Sequence, residues 1–271
     1  MSKIVIVTNG NYFAKIILNK LFDEYKDNID GVIIVYGDYY GGTGLKTLWS
    51  VGSVTIPQYT VYKVFQFMVF KIARVVFHNT KFFVEDIAKA FNIPVLLVKN
   101  INSHQVFEFI RKLDPELLVS VSCPQRINEQ LIKLVRYGGV NIHSSLLPAY
   151  AGLAPYYWVL SNGEKVTGVS VHYMTKNFDA GNILVQKTIH IKPRISAFVL
   201  FKNLSKLGSS ALLEGVKLAL NDEIGSPQEH SKRSYNSHPT RQSYKELKQR
   251  GYALLRLSEI FRTIAEEVRN R

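Results

Sequence analysis

The first half of the chain alternates short β-rich runs with amphipathic helical stretches, which limits the folds open to it. Residues 3–8 and 31–36 are β-rich, and between them the turn Asn9-Gly10-Asn11 leads into a helix with apolar residues on one face. This opening predicts a parallel sheet with right-handed crossovers. Further on, the pattern predicts helices at 82–91, 103–113 and 126–135 and strands at 93–98, 116–122 and 139–143. The sequence therefore predicts an α/β fold, a mostly parallel twisted sheet flanked by helices.

Polar side chains cluster after the strand at 139–143. Asn141 and His143 alternate on this strand and therefore point to one side of it, and Asp179 lies in a predicted tight loop before Ala180-Gly181. An amide, an imidazole and a carboxylate from separate loops suit acyl transfer, which needs donors for an oxyanion and a group to manage a proton. In isolation, a His-Asn pair fixes a loop more often than it takes part in catalysis. Likewise, Asp before Ala-Gly forms a turn more often than it is catalytic.

Taken together, these residues resemble the signature of the formyltransferases that use 10-formyltetrahydrofolate. The resemblance rests on the order and approximate spacing of Asn141, His143, Ser145-Leu146-Leu147-Pro148, Gly152 and Asp179-x-Gly181. The family includes methionyl-tRNA formyltransferase, glycinamide ribonucleotide transformylase and the sugar N-formyltransferases. The resemblance implies a Rossmann-like formyltransferase fold in which Asn141, His143 and Asp179 are catalytic.

Some candidate binding residues follow from the family resemblance and others from the sequence pattern itself. In the family, the segment after the strand at 116–122 contributes to the folate pocket. By that analogy, Arg126, Ile127 and Asn128 bind the formyl donor, 10-formyltetrahydrofolate. Ser145 and Gly181, which belong to the signature, are predicted to bind it as well. A solvated first-turn position explains Arg126 equally well.

The substrate-binding candidates are Asn9, Gly10 and Gly152. Asn9 and Gly10 follow the first strand, where backbone N–H groups can meet a substrate phosphate, although a simple turn explains them as well. Gly152 belongs to the signature and shapes its loop.

The 271 residues predict one main domain with an extension. We assign residues 1–220 to a catalytic domain, which ends in a helix capped by Ser196, and residues 221–271 to a C-terminal extension, irregular and then helical. The C-terminal β-barrel of methionyl-tRNA formyltransferases is missing, and residues 37–53 offer only Lys46 where that family has a basic tRNA-reading loop. Ala151 stands where many members carry Arg. The expected acceptor is therefore a small, phosphate-bearing amine; tRNA is disfavoured without being excluded.

Residues 54–77 are an outlier that the family pattern does not explain. This insertion is apolar and aromatic, with Lys63, Lys71 and Arg74 interspersed, and a helical stripe runs along it: Val61, Val64, Phe65, Met68, Ile72, Val75 and Val76. The pattern favours a helix in the core or in a homodimer interface. The alternative is a basic aromatic helix lying on a membrane surface.

Composition excludes several classes of protein. A single cysteine, Cys123, excludes internal disulfides and clustered thiolate metal sites, and it predicts a reducing, cytoplasmic location. The N-terminus is typical of a first strand and not of a signal peptide, and no metal site is expected from the histidine spacing. His172 is predicted to be structural. The net charge of +13 is spread along the chain, which favours a basic surface around an anionic pocket over a nucleic-acid track.

Two classes of function follow. The first is an N-formyltransferase acting on a primary amine, with a nucleotide-linked amino sugar as the expected acceptor. Enzymatic alternatives are a methionyl-tRNA formyltransferase-like enzyme and a formyltetrahydrofolate hydrolase, the latter with Cys123 and His143 as a nucleophile pair. The second class is a non-catalytic folate-fold module that binds a membrane or a partner protein.

Overall fold

A computed structural model describes residues 3–36 and 56–270 of the chain, so the predicted loop at 37–53 lies outside the described residues. The strands are β1 (Ile4–Thr8), β2 (Ile29–Val35), β3 (Val95–Val98), β4 (Leu117–Val121), β5 (Gly139–His143), β6 (Ala151–Gly152), β7 (Val166–Tyr173), β8 (Ile183–His190) and β9 (Tyr235–Asn236). The helices are α1 (Tyr12–Tyr25), α2 (Pro57–Val76), α3 (Val84–Ala90), α4 (His104–Leu113), α5 (Glu129–Ile132), α6 (Pro155–Asn162), α7 (Ala197–Leu220), α8 (Arg241–Gln249) and α9 (Leu257–Arg269).

The main sheet has seven strands in the order β3-β2-β1-β4-β5-β7-β8. The first five strands in that order run parallel, β7 pairs antiparallel with β5, and β8 pairs antiparallel with β7. Strands β1 and β4 are buried along their whole length, because helices cover both faces of the sheet and exclude water from both sides. The predicted mostly parallel α/β fold is confirmed.

The carboxyl ends of β1, β4 and β5 lie at one edge of the sheet. In open parallel sheets, ligands bind in the crevice beyond these ends. The polar side chains that follow these strands are therefore brought together by the sheet order.

Three local predictions need correction. The helix expected at 126–135 is a single turn, because the Asn128 side chain accepts a hydrogen bond from the Leu131 N–H and starts the helix at Glu129. Ser103, whose position suggests that it caps the helix predicted at 103–113, does precede α4, but its buried hydroxyl has no hydrogen-bond partner among the described residues and makes no cap. Helix α8 was not predicted; reciprocal capping by Thr240 and Ser243 starts it, whereas its mostly polar sequence gives a weak apolar stripe.

The insertion at 54–77 forms α2, which begins at Pro57, a favoured residue for a first helical turn. The side that packs inward carries Tyr59, Tyr62, Gln66, Phe70 and Ala73. Most of the stripe predicted to be core faces outward: Val61, Met68, Ile72, Val75 and Val76 are exposed. The core prediction was therefore wrong for this stripe, because the aromatic side opposite stacks on α1, with the Phe70 ring centroid 4.1 Å from that of Tyr12.

The C-terminal helix α9 packs against the main domain. Glu267 accepts hydrogen bonds from the Tyr12 hydroxyl at 2.9 Å and from the Lys15 ammonium at 2.6 Å, and Lys15 is buried. On α7, Lys202 pairs with Glu266 at 2.6 Å. Charged groups on α9 thus neutralise two lysines that the main domain buries.

Within the part of the chain that the structure describes, no helix has both the length and the apolar character needed to cross a membrane.

We expect Glu267→Ala to lower the free energy of unfolding by about 2 kcal/mol, because it leaves the buried Lys15 ammonium without its carboxylate. The matched control is Glu24→Ala, which removes the exposed pair between Glu24 and Lys217 and should leave the urea midpoint nearly unchanged. Urea denaturation followed by circular dichroism measures both. Equal effects of the two substitutions would contradict the packing described for α9.

Candidate active site

A cavity of about 360 Å³ opens at the carboxyl ends of β1, β4 and β5. One part of its wall follows β1, another follows β4, and a third comes from the end of β5 and the loop after it. The wall residues in these three segments are Asn9, Asn11, Ser122, Cys123, Pro124, Gln125, Arg126, Ile127, Asn141, Ile142, His143 and Ser144. The cavity therefore lies where the sheet order predicts a ligand site.

His143 and Asp179 meet in the wall of this cavity. Nδ1 of His143 lies 3.6 Å from Oδ1 of Asp179, and both side chains are about nine-tenths buried. Nε2 of His143 lies 2.9 Å from the carbonyl oxygen of Tyr150. A carbonyl only accepts hydrogen bonds, so Nε2 carries a proton and only Nδ1 remains to face the cavity and the carboxylate.

His172 completes this group of side chains. Its Nδ1 donates to the Tyr173 carbonyl at 2.9 Å, and its Nε2 lies 3.2 Å from Nδ2 of Asn141 and 3.6 Å from Oδ1 of Asp179. His172 is predicted to be structural, and its hydrogen bonds fit that role; its ring also contacts two of the three predicted catalytic side chains. The register places Asn141 opposite His172 on β5 and β7, a pairing that a sequence without a known strand order does not reveal.

Backbone contacts hold the Asp179 carboxylate in place. Oδ2 of Asp179 accepts a hydrogen bond from the Gly152 N–H at 2.9 Å. Gly152 has a φ of +96°, and a Cβ there would lie 2.3 Å from the Asn236 carbonyl oxygen, so a side chain is excluded. The glycine of the signature is thus required by the pairing of β6 with β9.

Residues beyond 220 brace the same loop. Gln228 donates to the carbonyl oxygens of Asp179 at 3.0 Å and Gly181 at 2.7 Å. The Arg233 guanidinium donates to those of Phe178 at 2.6 Å and Asp179 at 3.2 Å. The C-terminal segment therefore positions the Asp179 loop, a role that its irregular sequence did not indicate.

The electrostatics of the group favour an ionised carboxylate. Burial by itself raises the pKa of Asp179, but the charge of His143, the hydrogen bond and charge of His172 and the Gly152 amide outweigh it. The net effect holds the pKa of Asp179 well below its usual range. A buried anion between two imidazoles is suited to holding one of them as an imidazolium.

The structure brings together some of the predicted site residues and not others. Seven of them line the cavity: Asn9, Arg126, Ile127, Asn141, His143, Gly152 and Asp179. Gly10, Asn128, Ser145 and Gly181 are absent from the described cavity wall, so the predicted direct binding by these four has no support from it.

Each of the four has another task. The Gly10 N–H donates to Oγ1 of Thr8 at 3.0 Å and is not free for a phosphate, and Asn128 caps α5. The Ser145 hydroxyl is buried and donates to the Ala149 carbonyl at 2.8 Å, while Gly181 lies against the Tyr173 carbonyl. These residues shape the surrounding loops. Ala151, at the family's arginine position, is fully buried and also lies outside the described wall.

Cys123 lines the cavity but is a poor nucleophile. Its thiol lies 3.2 Å from the Gln125 carbonyl oxygen, and burial raises its pKa to about 12. A thiol with this pKa contains almost no thiolate near neutral pH. The geometry therefore disfavours the Cys-His hydrolase alternative.

Part of the cavity wall comes from α2 and α6, which the sequence did not predict to contribute. Tyr59 and Lys63 of α2 line it together with Tyr156 of α6, and the hydroxyls of the two tyrosines are 2.7 Å apart. Sequence reasoning missed these residues because they lie within the insertion or outside the signature. Lys63 supplies a cation to the cavity wall, which also includes Asn9 and Asn11.

A second cavity of about 450 Å³ shares Arg126, Asn177, Phe178 and Tyr235 with the first. Its wall also includes Lys176, His230 and Arg233, and no carboxylate among the described residues. This side suits an anionic group. Across residues 3–36 and 56–270, no cluster of three or more His, Cys, Asp or Glu side chains is arranged to hold a metal ion.

Comparison with known proteins matches residues 63–216 to the family model described as formyl transferase. The methionyl-tRNA formyltransferase of Kosmotoga olearia is 35% identical over 153 residues, which are 56% of this chain and 49% of that protein. Alignments with curated relatives span from 25% to 56% of those proteins' lengths.

Two solved structures show the same fold. One is WlaRD, a sugar 3-N-formyltransferase crystallised with dTDP and 5-N-formyl-tetrahydrofolate; it is 20% identical, with a TM-score of 0.57, over 88% of this chain and 70% of that one. The other is phosphoribosylglycinamide formyltransferase of Anaplasma phagocytophilum, 18% identical, with a TM-score of 0.58, over 88% of this chain and 99% of that one.

We expect the Asp179 carboxyl to titrate below the ordinary aspartate value of about 3.9. Because its pKa in the folded state is depressed, its contribution to stability is complete above the unfolded-state value and is lost as the pH falls through the folded-state value. Carbon-13 NMR of protein labelled at the aspartate carboxyls measures this, with Asp179→Asn identifying the resonance. A titration at or above the ordinary value would contradict the described charge arrangement.

Proposed function

The chain belongs to the formyl transferase family, and on that premise we propose that it moves the formyl group of 10-formyltetrahydrofolate to a primary amine of a small substrate. The observation that carries the proposal is the convergence of Asn141, His143 and Asp179 on one wall of the cavity. An amide, an imidazole and a buried carboxylate there supply the groups that amide formation needs. A cytoplasmic location stays a prediction.

The donor substrate supplies an electrophilic formyl carbon, and the nucleophile belongs to the acceptor. A neutral amine adds to that carbon, a C–N bond forms, and negative charge develops on the formyl oxygen. The bond between the carbon and the donor nitrogen then breaks, and a proton lost by the amine ends on that nitrogen. The chain must hold two molecules together, stabilise the oxyanion and carry the proton.

His143 serves the oxyanion as an imidazolium. Its Nε2–H is committed to the Tyr150 carbonyl, so a neutral ring has no N–H left for a second acceptor. When Nδ1 is also protonated, it offers an N–H toward the cavity, and Asp179 at 3.6 Å stabilises that charge. The paired charges thus make His143 an oxyanion donor. Asp179, a weak base because its pKa is held low, takes the amine proton only in passing, as that proton moves to the donor nitrogen.

Asn141 supplies the second donor, and His172 orients it. The His172 Nδ1–H is donated to Tyr173, and its Nε2 lies 3.2 Å from the Asn141 amide nitrogen, so the ring fixes the position of that amide. An N–H of the amide that faces the cavity then meets the oxyanion. His172 is therefore a positioning residue that acts through Asn141 and Asp179.

The residues present fit a folate donor. The wall from Cys123 to Ile127 offers backbone groups and the buried Ile127 side chain to a flat heterocycle. The second cavity, with Arg126, Lys176, His230 and Arg233, adjoins this wall and suits the carboxylates at the other end of the donor. WlaRD, which shares the fold, was crystallised with 5-N-formyl-tetrahydrofolate.

The acceptor then takes the side lined by Tyr59, Lys63, Tyr156, Asn9 and Asn11. An ammonium group and two tyrosines suit a phosphate-bearing amine with a ring, and a nucleotide-linked amino sugar has both features. The presence of dTDP in the WlaRD structure supports this class. Of the predicted substrate-binding residues, Asn9 and Gly152 remain in this proposal and Gly10 leaves it.

A methionyl-tRNA formyltransferase-like activity is the second candidate. It is favoured by the 35% identity to the Kosmotoga olearia enzyme and by the net charge of +13, which attracts nucleic acids. An acceptor panel separates the two: nucleotide-linked amino sugars and methionyl-tRNA are each incubated with donor and enzyme, and release of tetrahydrofolate is followed. If the protein binds the donor but releases no tetrahydrofolate with any acceptor, the result would support the non-catalytic folate-fold module.

We keep residues 1–220 as the catalytic domain and residues 221–271 as its extension. The bracing of the Asp179 loop by Gln228 and Arg233 gives this extension a part in the catalytic geometry.

Asp179→Asn should lower kcat at least about 10²-fold, since the amide neither accepts the proton nor stabilises the His143 imidazolium. Donor affinity, measured by calorimetry with 5-formyltetrahydrofolate, should change little. The matched control is Asp222→Asn, which makes the same change at an exposed aspartate outside the described cavity wall and should leave kcat nearly unchanged. Cys123→Ser is measured separately, and a large loss of kcat in that variant would favour the hydrolase alternative.

Lys63→Met should raise KM for a phosphate-bearing acceptor about tenfold by removing a charge-assisted contact, with KM for the donor unaffected. Lys71→Met is the matched control, because Lys71 lies two turns further along α2 and outside the described cavity wall. Steady-state kinetics with each substrate varied in turn measures both. A rise in KM for the donor in the Lys63 variant would mean that Lys63 contacts the donor, and it would contradict the proposed position of the acceptor.

A further inference from the structure

Helix α2 has its most apolar side facing away from the protein. Its exposed apolar side chains, which we call the outward face, are Val61, Phe67, Met68, Ile72, Val75 and Val76, from 52% exposed at Met68 to 79% at Val75. The inward side carries two tyrosines and Gln66 instead. A surface helix of a globular protein normally shows the opposite arrangement. An unpartnered row of large apolar side chains marks an interaction surface.

The charges on α2 are all positive. The helix contains Lys63, Lys71 and Arg74 and no acidic residue. At 3.6 residues per turn, all three lie along one flank of the outward face. Arg74 is paired with Glu85 and Asp86 of α3, whereas no described carboxylate lies within ion-pair distance of Lys71.

The nature of the occupant follows from these charges. A second copy of the chain would bring the Lys71 ammonium groups of two identical helices to one contact with no α2 carboxylate between them. An anionic lipid surface offers negative charge to the basic flank and an apolar layer to the outward face.

We propose that the outward face of α2 seats this protein on an anionic lipid surface. The helix lies in the plane of the interface, with Val61, Met68, Ile72 and Val75 inserted among the acyl chains and Lys71 at the level of the lipid phosphates. Because Lys63 on the same helix lines the cavity, the lipid surface lies beside the acceptor half of the site. The proposed binding of lipid by α2 does not require that the protein carries out formyl transfer.

Sedimentation of the full chain with vesicles tests the proposal. One set contains phosphatidylcholine and phosphatidylglycerol in equal parts, and the other contains phosphatidylcholine alone. We expect binding to the anionic vesicles that weakens with added salt, and little binding to the neutral ones. Removing one charge in Lys71→Gln should weaken binding about fivefold. The double substitution Ile72→Glu with Val75→Glu should weaken it more than about tenfold.

The control is Ile224→Glu, which places one such charge on an apolar residue after α7 that is about as exposed as Val75. It should bind vesicles nearly as well as the unaltered chain. Thermal unfolding checks that all variants fold. Failure of the unaltered chain to bind anionic vesicles overturns the proposal, as does equal weakening by the control. A dimer in sedimentation velocity that only the α2 double variant dissociates, without vesicle binding, assigns the face to a second copy instead.

Discussion

The site depends on one buried carboxylate that stays ionised. Asp179 lies between the rings of His143 and His172 and accepts a hydrogen bond from the Gly152 amide. Desolvation opposes its charge, and these three partners together outweigh it. Without the carboxylate, a His143 imidazolium in the same place would be an unpaired buried cation, which is costly.

Much of the remaining structure keeps that carboxylate where it is. The sheet delivers Asn141, His143 and His172 from adjacent strands, so their relative positions are as rigid as the sheet itself. The Asp179 loop lacks such support of its own, and Gln228 and Arg233 supply it from the C-terminal segment. The segment that looks like an appendage along the chain is therefore part of the site's scaffold.

Helix α2 has two faces with different consequences. Its inward aromatic side stacks on α1 and places Tyr59 and Lys63 at the cavity. Its outward side leaves apolar side chains in contact with solvent. An apolar stripe alone does not say which side is buried, because a tyrosine such as Tyr59, whose hydroxyl is paired with that of Tyr156, can fill a core as well as a valine can. This is why the stripe was assigned to the core and why the cavity residues on the opposite side were overlooked.

The sequence by itself determined the β–α alternation and the mostly parallel sheet, because hydrophobic periodicity encodes helices and strands. The resemblance to a known family singled out the three side chains at 141, 143 and 179. Tertiary structure alone decided that His172 faces Asn141, that the Gly10 amide is already used by Thr8, and that residues beyond 220 brace the Asp179 loop. These facts depend on strand order and on contacts between residues far apart in the chain. No local pattern carries that information, since the same stretch can meet different partners in different folds.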